Sequence, residues 1–220
     1  MRPIAEHNSS MKLTKFQHAC FVVEKDGASV VVDPGNLTHD FIMPKHVAAV
    51  FITHAHADHI DNQLVITILR QHPKAVLLAH ESILADFKNE HAQAVTVGET
   101  VDAGGISLQF VGGTHEPIDI TVTTPVNIGV IIENHLYYPG DSYFAPDQPI
   151  KELLLPISAP WLTIGHSIDL VRALKPTHAF PTHDAILSPE GQALIDNMVT
   201  RITASLSLSY QRINGKTIEL

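Results

Sequence analysis

The stretch VAAVFITHAHADHI, residues 47–60, decides the fold: apolar Val47 to Ile52, then Thr53, then His54-Ala55-His56-Ala57-Asp58-His59. Six apolar residues, rich in Val, Ile and Phe and too few for a helix, predict a buried strand. Four ionisable side chains then fall within six positions. In an extended or loosely turned segment, His54 and His56 at i and i+2 project to one side and can share an ion. Asp58 and His59, past the bend, point elsewhere and can serve a second ion. Ala55 and Ala57 keep the loop small.

Four other apolar runs end the same way. Val30-Val31-Val32 ends in Asp33, and Leu108-Gln109-Phe110-Val111 leads to His115. Leu136-Tyr137-Tyr138 leads to Asp141, and Ala179-Phe180-Pro181 to His183. Ligand-bearing loops gather at strand ends in α/β folds. A lone histidine at a strand end is more often a surface or hydrogen-bonded residue, but five such endings point to metal. Nitrogen and carboxylate ligands without thiolate suit zinc, and also manganese, iron or cobalt. A carboxylate such as Asp141 can bridge two ions. Of the remaining histidines, His7, His39, His46, His72, His80, His91 and His135 are expected in solvent, and His178 in a structural role. His18 and His166 are candidates for contacts to ligands or substrate.

The rest of the chain reads as an α/β (α+β) pattern. Strands are predicted over 12–16, 20–24 and 29–33, with Asp26-Gly27 as the turn between the last two. Further strands fall at 47–53, 75–79, 94–97, 106–111, 126–132, 136–138, 153–156 and 177–181. Leu64, Val65, Ile68 and Leu69 mark an amphipathic helix over 62–71. A second helix is predicted over 82–89 capped by Ser82, a third over 167–174, and a long one from Ser188-Pro189-Glu190. Asn214-Gly215 between residues 210–213 and 217–220 predicts a terminal hairpin. The order of strands and helices suits two packed sheets with helices outside, an αββα four-layer sandwich, though pattern alone does not choose it over other α/β arrangements; one domain spanning 1–220 is expected.

Composition narrows the function. The 220 residues are 45% apolar and 17% charged, a globular balance. The net charge of -9, with Lys and Arg scattered singly, argues against a nucleic-acid surface. No run approaches the roughly 18 apolar residues of a membrane span. The polar N-terminus and the single cysteine, Cys20, lead us to expect a cytoplasmic protein. A small-molecule substrate is the expected partner, with self-association left open.

The motif H-x-H-x-D-H (His54, His56, Asp58, His59), followed by His115, Asp141 and His183, resembles the signature of the metallo-β-lactamase superfamily. The segments Gln17 to Phe21, Val32 to Gly35, Tyr138 to Ser142 and Leu155 to Ile157 resemble its ascorbate-6-phosphate lactonase-like hydrolase branch. So does Leu162-Thr163-Ile164-Gly165 before a helix. Glu116-Pro117, His166 and Asp184-Ala185 depart from that branch. The resemblance implies His54, His56 and His115 on a first ion, Asp58, His59 and His183 on a second, and Asp141 between them. Asp33 would steady the histidine loop by hydrogen bonds. It implies a dinuclear hydrolase using a metal-bridging hydroxide, with ions about 4 Å apart and the water pKa near roughly 7. Asp58 would ligate and orient the nucleophile; Trp161, Thr163 and His166 are candidates for the substrate rim, with a capped helix start and a partly exposed aromatic anchor as the alternative. Lactones, esters and sugar phosphates are the expected substrates; phosphodiester cleavage and a non-catalytic metal scaffold are the alternatives. His56, where flavodiiron members carry Glu, favours hydrolysis over electron transfer.

Overall fold

The computed structural model describes residues 10–88 and 90–220; His7 and Asn89, the end of the expected second helix, lie outside them. Two seven-stranded sheets face each other. The first contains β1 (Lys12–Lys15), β2 (Phe21–Lys25), β3 (Ala28–Val32), β4 (Val47–Phe51), β5 (Val76–Ala79), β6 (Ala92–Ala94) and β14 (Lys216–Glu219), in the order β14-β1-β2-β3-β4-β5-β6. The second contains β7 (Thr100–Asp102), β8 (Ser107–Gly112), β9 (Ile128–Ile132), β10 (Leu136–Tyr138), β11 (Glu152–Pro156), β12 (His178–Thr182) and β13 (Ser209–Tyr210). Its order is β13-β12-β11-β10-β9-β8-β7. Strands β3 to β6 are parallel, as are β10 to β13.

The two-residue period of the strands sorts their side chains into three apolar layers. Val30, Val32, Ala49, Phe51 and Leu78 meet Phe110, Val130, Ile132, Tyr138 and Leu154 between the sheets. The alternate residues Val31, Val50, Leu77 and Ala79 face outward, under α1 (Asn62–Gln71) and α2 (Glu81–Leu84). On the far side, Ile131, Tyr137, Leu153 and Leu155 pack under α3 (Ile164–Leu174) and α4 (Pro189–Ser205). Strands buried on both faces must be apolar throughout, which is why Val47 to Ile52 shows no polar alternation. The architecture is the expected αββα sandwich.

Local chemistry sets several elements as expected. Asp26 and Gly27, both with positive φ, close a two-residue turn pairing Lys25 with Ala28. Asp61 caps α1 by accepting from Gln63 N and Leu64 N, and the helix buries Val65, Ile68 and Leu69, each side chain contributing about 1.5–3 kcal/mol. Ser188 caps α4 ahead of Pro189.

Four expectations are corrected. Residues 216–219 pair with β1, while 209–210 pair with β12 in the other sheet. Asn214-Gly215 is therefore a crossing between sheets, because Leu13 and Thr14 offer Ile218 and Thr217 a longer ladder than Ser209-Tyr210 could. His80, not Ser82, caps α2, accepting from Ser82 N, and the helix tightens into a 3-10 turn at Ala85–Phe87. The strand expected at 94–97 lies at 92–94, where Leu77 to Ala79 provide the pairing edge. Helix α3 starts at Ile164, three residues early, and β7 (Thr100–Asp102), unforeseen, pairs with Ser107–Gln109. No helix among the described residues is long and apolar enough to cross a membrane.

Candidate metal centre

The motif-bearing loops converge at one edge of the sandwich. Behind β4, Asp33 fixes the histidine loop: it is fully buried and accepts from Thr53 N at 2.8 Å, Thr53 Oγ1 at 2.7 Å and His59 Nδ1 at 2.7 Å. Gly35 brings a second strut, lying so close to the loop that a Cβ there would sit 1.9 Å from the Asp58 carbonyl oxygen. Its own φ is not positive, so contact, not backbone freedom, demands glycine. We expect Gly35→Ala to push the loop outward, costing at least the roughly 1–3 kcal/mol of an overpacked core and weakening metal binding. Paired urea unfolding and metal titration would check this.

The proton placement on each histidine follows from its partner. A carbonyl only accepts, so His115 Nδ1 donates to Glu116 O at 2.5 Å and His183 Nδ1 to Ser158 O at 2.5 Å. His59 Nδ1 donates to Asp33. Thr53 Oγ1 gives its proton to Asp33 and so accepts from His54 Nδ1 at 3.0 Å. The Nε2 atoms of all four rings are thereby aimed inward as the positions left to bind a metal, and carry a proton only where a carboxylate accepts it. His59 Nε2 lies 3.1 Å from His183 Nε2, and His54 Nε2 lies 3.1 Å from His56 Nδ1. Facing lone pairs at that distance repel unless a cation or proton stands between them. His115 Nε2 and Asp141 Oδ1 are buried without a hydrogen-bond partner among the described residues, a cost that a bound cation would remove.

Donor atoms form two sets, each within 4.8 Å: His54, His56, His115 and Asp141, and His18, Asp58, His59 and His183. Asp141 lies against both, with Oδ1 3.1 Å from His59 Nε2 and Oδ2 3.4 Å from His115 Nε2 and 3.2 Å from His183 Nε2. Its backbone N–H donates to Asn127 Oδ1 at 3.0 Å, and Asn127 Nδ2 donates to Pro139 O. The residues fit a pair of divalent cations: neutral imidazole nitrogens and carboxylates, already oriented by a surrounding shell.

Charge tells the same story. Burial disfavours ionised His54 and His56, and neighbouring histidines add to it, so both are held neutral below the usual value, the ligating form. Burial also opposes a charged His59 and His183, yet Asp141 and Asp33 raise the first well above normal, and Asp141 and Asp58 lift the second to about 9. Despite burial, the carboxyl of Asp141 is held well below its usual range by His59 and His183, and that of Asp58 by hydrogen bonds from His18 and His183. The carboxylates hold positive charge between the rings.

His18 sits deeper in the site than expected, fully buried. Its Nδ1 accepts from Ala185 N at 3.3 Å, so Nε2 carries the proton and donates to Asp58 Oδ2 at 2.9 Å. In that tautomer it orients Asp58. Burial pushes its pKa down to about 4. His18 and His183 both adopt left-handed backbone and their rings lie 3.9 Å apart. Asp184, fully buried, accepts from His18 N at 3.2 Å, from Asn214 Nδ2 at 2.7 Å and from Arg212 Nη1.

Trp161 is not merely at the rim: its indole N–H donates to Asp141 Oδ2 at 2.8 Å. Its ring packs 5.2 Å from that of Tyr143, which stands 5.2 Å from His166. His166 and Thr163 are exposed, at the first turn of α3. Thr163 N donates to Tyr143 Oη at 2.8 Å, and its side chain makes no capping bond. Tyr143 and Glu116 escaped the sequence reading as site residues, though each adjoins or nearly adjoins a motif residue, at Asp141+2 and His115+1.

Residues 12–183 match the family described as the Beta-lactamase superfamily domain. Protein Rv0786c of Mycobacterium tuberculosis is 32% identical over 200 residues, covering 89% of this chain and 94% of that protein. The UPF0173 metal-dependent hydrolase MJ1163 of Methanocaldococcus jannaschii is 28% identical over 187 residues, covering 78% and 83%. Among solved structures, the metallo hydrolase Igni18 of Ignicoccus hospitalis superposes with a TM-score of 0.74 at 23% identity, covering 96% of this chain and 98% of that one; at that identity the likeness is one of fold. With its histidine motif, its sandwich and its match over residues 12–183 in agreement, this chain belongs to the metallo-β-lactamase superfamily.

Proposed function

We propose that this chain, a metal-dependent hydrolase of the superfamily, holds two divalent ions, zinc before manganese or iron, and opens a small-molecule lactone or ester. The observation that supports this best is the position of Asp141, one buried carboxylate lying against both donor sets. His54, His56 and His115 would hold one ion, Asp58, His59 and His183 the other, with Asp141 shared. When bound, such ions lower the pKa of water to about 7 and polarise the substrate oxygen.

The chain's own groups do the rest. His18 and His183 both lie against Asp58 Oδ2, at 2.9 and 3.2 Å, which leaves Oδ1 to accept a proton from the attacking water and aim its lone pair. Asp58 is the partly exposed member of its set, so it faces the entering substrate. Trp161 and Tyr143 wall the entrance and keep bulk water from the shared carboxylate.

Metal analysis after growth in zinc or manganese, paired with hydrolysis assays on lactones, aryl esters and phosphodiesters, tests the proposal. Two ions per chain and chelator-sensitive lactone or ester hydrolysis are expected. Asp58→Ala should lower kcat by at least about 100-fold, beyond the loss typical of outer-shell residues. Cleavage confined to phosphodiesters, or a rate indifferent to Asp58 and to chelator, would sink it.

A further inference from the structure

We propose that Glu116 selects substrates whose non-reacting part is uncharged or cationic and carries hydroxyl or amine donors, and that it rejects phosphorylated and carboxylated ones. The proposal rests on the hydrolytic reading of the centre given above. Two cavities share Tyr143. One, of about 270 Å³, is lined by Gly112, Thr114, Glu116, Ser142, Tyr143 and Phe144. The other, of about 370 Å³, is lined by Tyr143, Ala145, His166, Asp169, Leu170 and Ala173. The first is tied to the centre along the chain, since Glu116 follows His115 and Ser142 and Tyr143 follow Asp141, and both are tied to it through Tyr143, whose ring packs 5.2 Å from that of Trp161.

Among the described residues, neither cavity is lined by Lys or Arg. Asp169 in the second is paired with Arg172 at 2.9 Å, so that cavity is close to neutral. Glu116 in the first has no cationic partner among the described residues. Its backbone is fixed on both sides, with N donating to Asp141 O at 2.9 Å and O accepting from His115 Nδ1. Its carboxylate takes one long bond, from Tyr143 N to Oε1 at 3.4 Å, and keeps the remaining acceptor positions for a ligand. Thr114 and Ser142 add hydroxyls, while Phe144 and Tyr143 supply apolar walls.

A remote phosphate or carboxylate needs Arg, Lys or a helix N-terminus to replace its water. Among the described residues, those lining the first cavity include no Lys or Arg and none from the first turn of a helix. An anion in the first cavity would instead meet Glu116 at close range in a partly desolvated site, where like charges repel strongly. A sugar hydroxyl or an amine would donate to the same carboxylate and be held by it. Glu116 thus acts as a specificity-determining residue that works by attraction and by exclusion.

The test uses the full chain loaded with zinc and matched pairs that differ in one remote charge: a neutral sugar lactone with its phosphorylated counterpart, and a neutral aryl ester with its carboxylated one. The native chain should favour the neutral member by at least about 100-fold in kcat/KM. Glu116→Gln, which can still accept from Tyr143 N, should bring that ratio towards one with metal content unchanged, and Glu116→Arg should reverse it. A native preference for the phosphorylated member, or a ratio that neither substitution moves, overturns the role of Glu116 and leaves the hydrolytic centre standing. Hydrolysis of neither pair by chain shown to hold its ions overturns both together.

Discussion

Replacing Asp141 with alanine is expected to separate the two donor sets and lower kcat/KM by at least about 100-fold. The carboxylate is almost fully buried and its two oxygens lie against His59, His115 and His183 at once, at 3.1 to 3.4 Å. Without it each set has to hold its ion with one fewer anionic ligand, and the charge balance that keeps His183 at about 9 and His59 high disappears. Metal analysis should show fewer than two ions per chain. The metal-dependent rise in Tm should shrink, because that rise follows from the ratio of free metal to Kd. Asp141→Asn sharpens the test: it keeps the volume and one acceptor for the Trp161 indole, so a loss as large as that of alanine assigns the effect to charge. Wild-type stoichiometry in either variant would refute the shared position.

Asp33→Ala should be the most destabilising single change in the histidine loop. It strips the partner from Thr53 N, Thr53 Oγ1 and His59 Nδ1 in a site with no solvent access. Removing one partner from a buried, hydrogen-bonded ionic group costs about 3–5 kcal/mol. Denaturant unfolding should show a loss in that range, with the slope m unchanged. Asp33 has a φ of 45°, a left-handed conformation that asparagine tolerates. Asp33→Asn therefore isolates the hydrogen bonds from the backbone. Its carbonyl can accept on one side only, and its NH₂ would face a donor on the other, so a loss of at least about 1–3 kcal/mol should remain. A neutral result for Asn would show that His59 is held by something other than this carboxylate.

The legible parts of this protein were those set within a few residues of one another. Val47 to Ile52 lacks polar alternation because β4 is covered on both faces, and that pattern is visible without coordinates. Ser188 and the Asp26-Gly27 turn act over two or three residues, and each stands where local chemistry places it. In the same short stretch His54 and His56 fall in one donor set and Asp58 and His59 in the other. Asn214-Gly215 failed as a hairpin for the converse reason. Its turn chemistry is sound, but the strand after it pairs with Leu13 and Thr14, some 200 positions away, a partner that no local pattern announces.

By itself, then, the sequence determined the strands, the helices and the ionisable groups at their ends, since strand period, turn chemistry and ligand spacing are short-range properties; their order suited the sandwich without choosing it. Only the tertiary structure decided how those groups are used. It turned His18 onto Asp58, set the Trp161 indole on Asp141, and placed Glu116 beside Tyr143 in an unneutralised cavity. Those contacts join residues 20 to 40 positions apart, and the anchoring of His18 by Asp184 spans 166. Their geometry is fixed by how two independently patterned sheets close on each other.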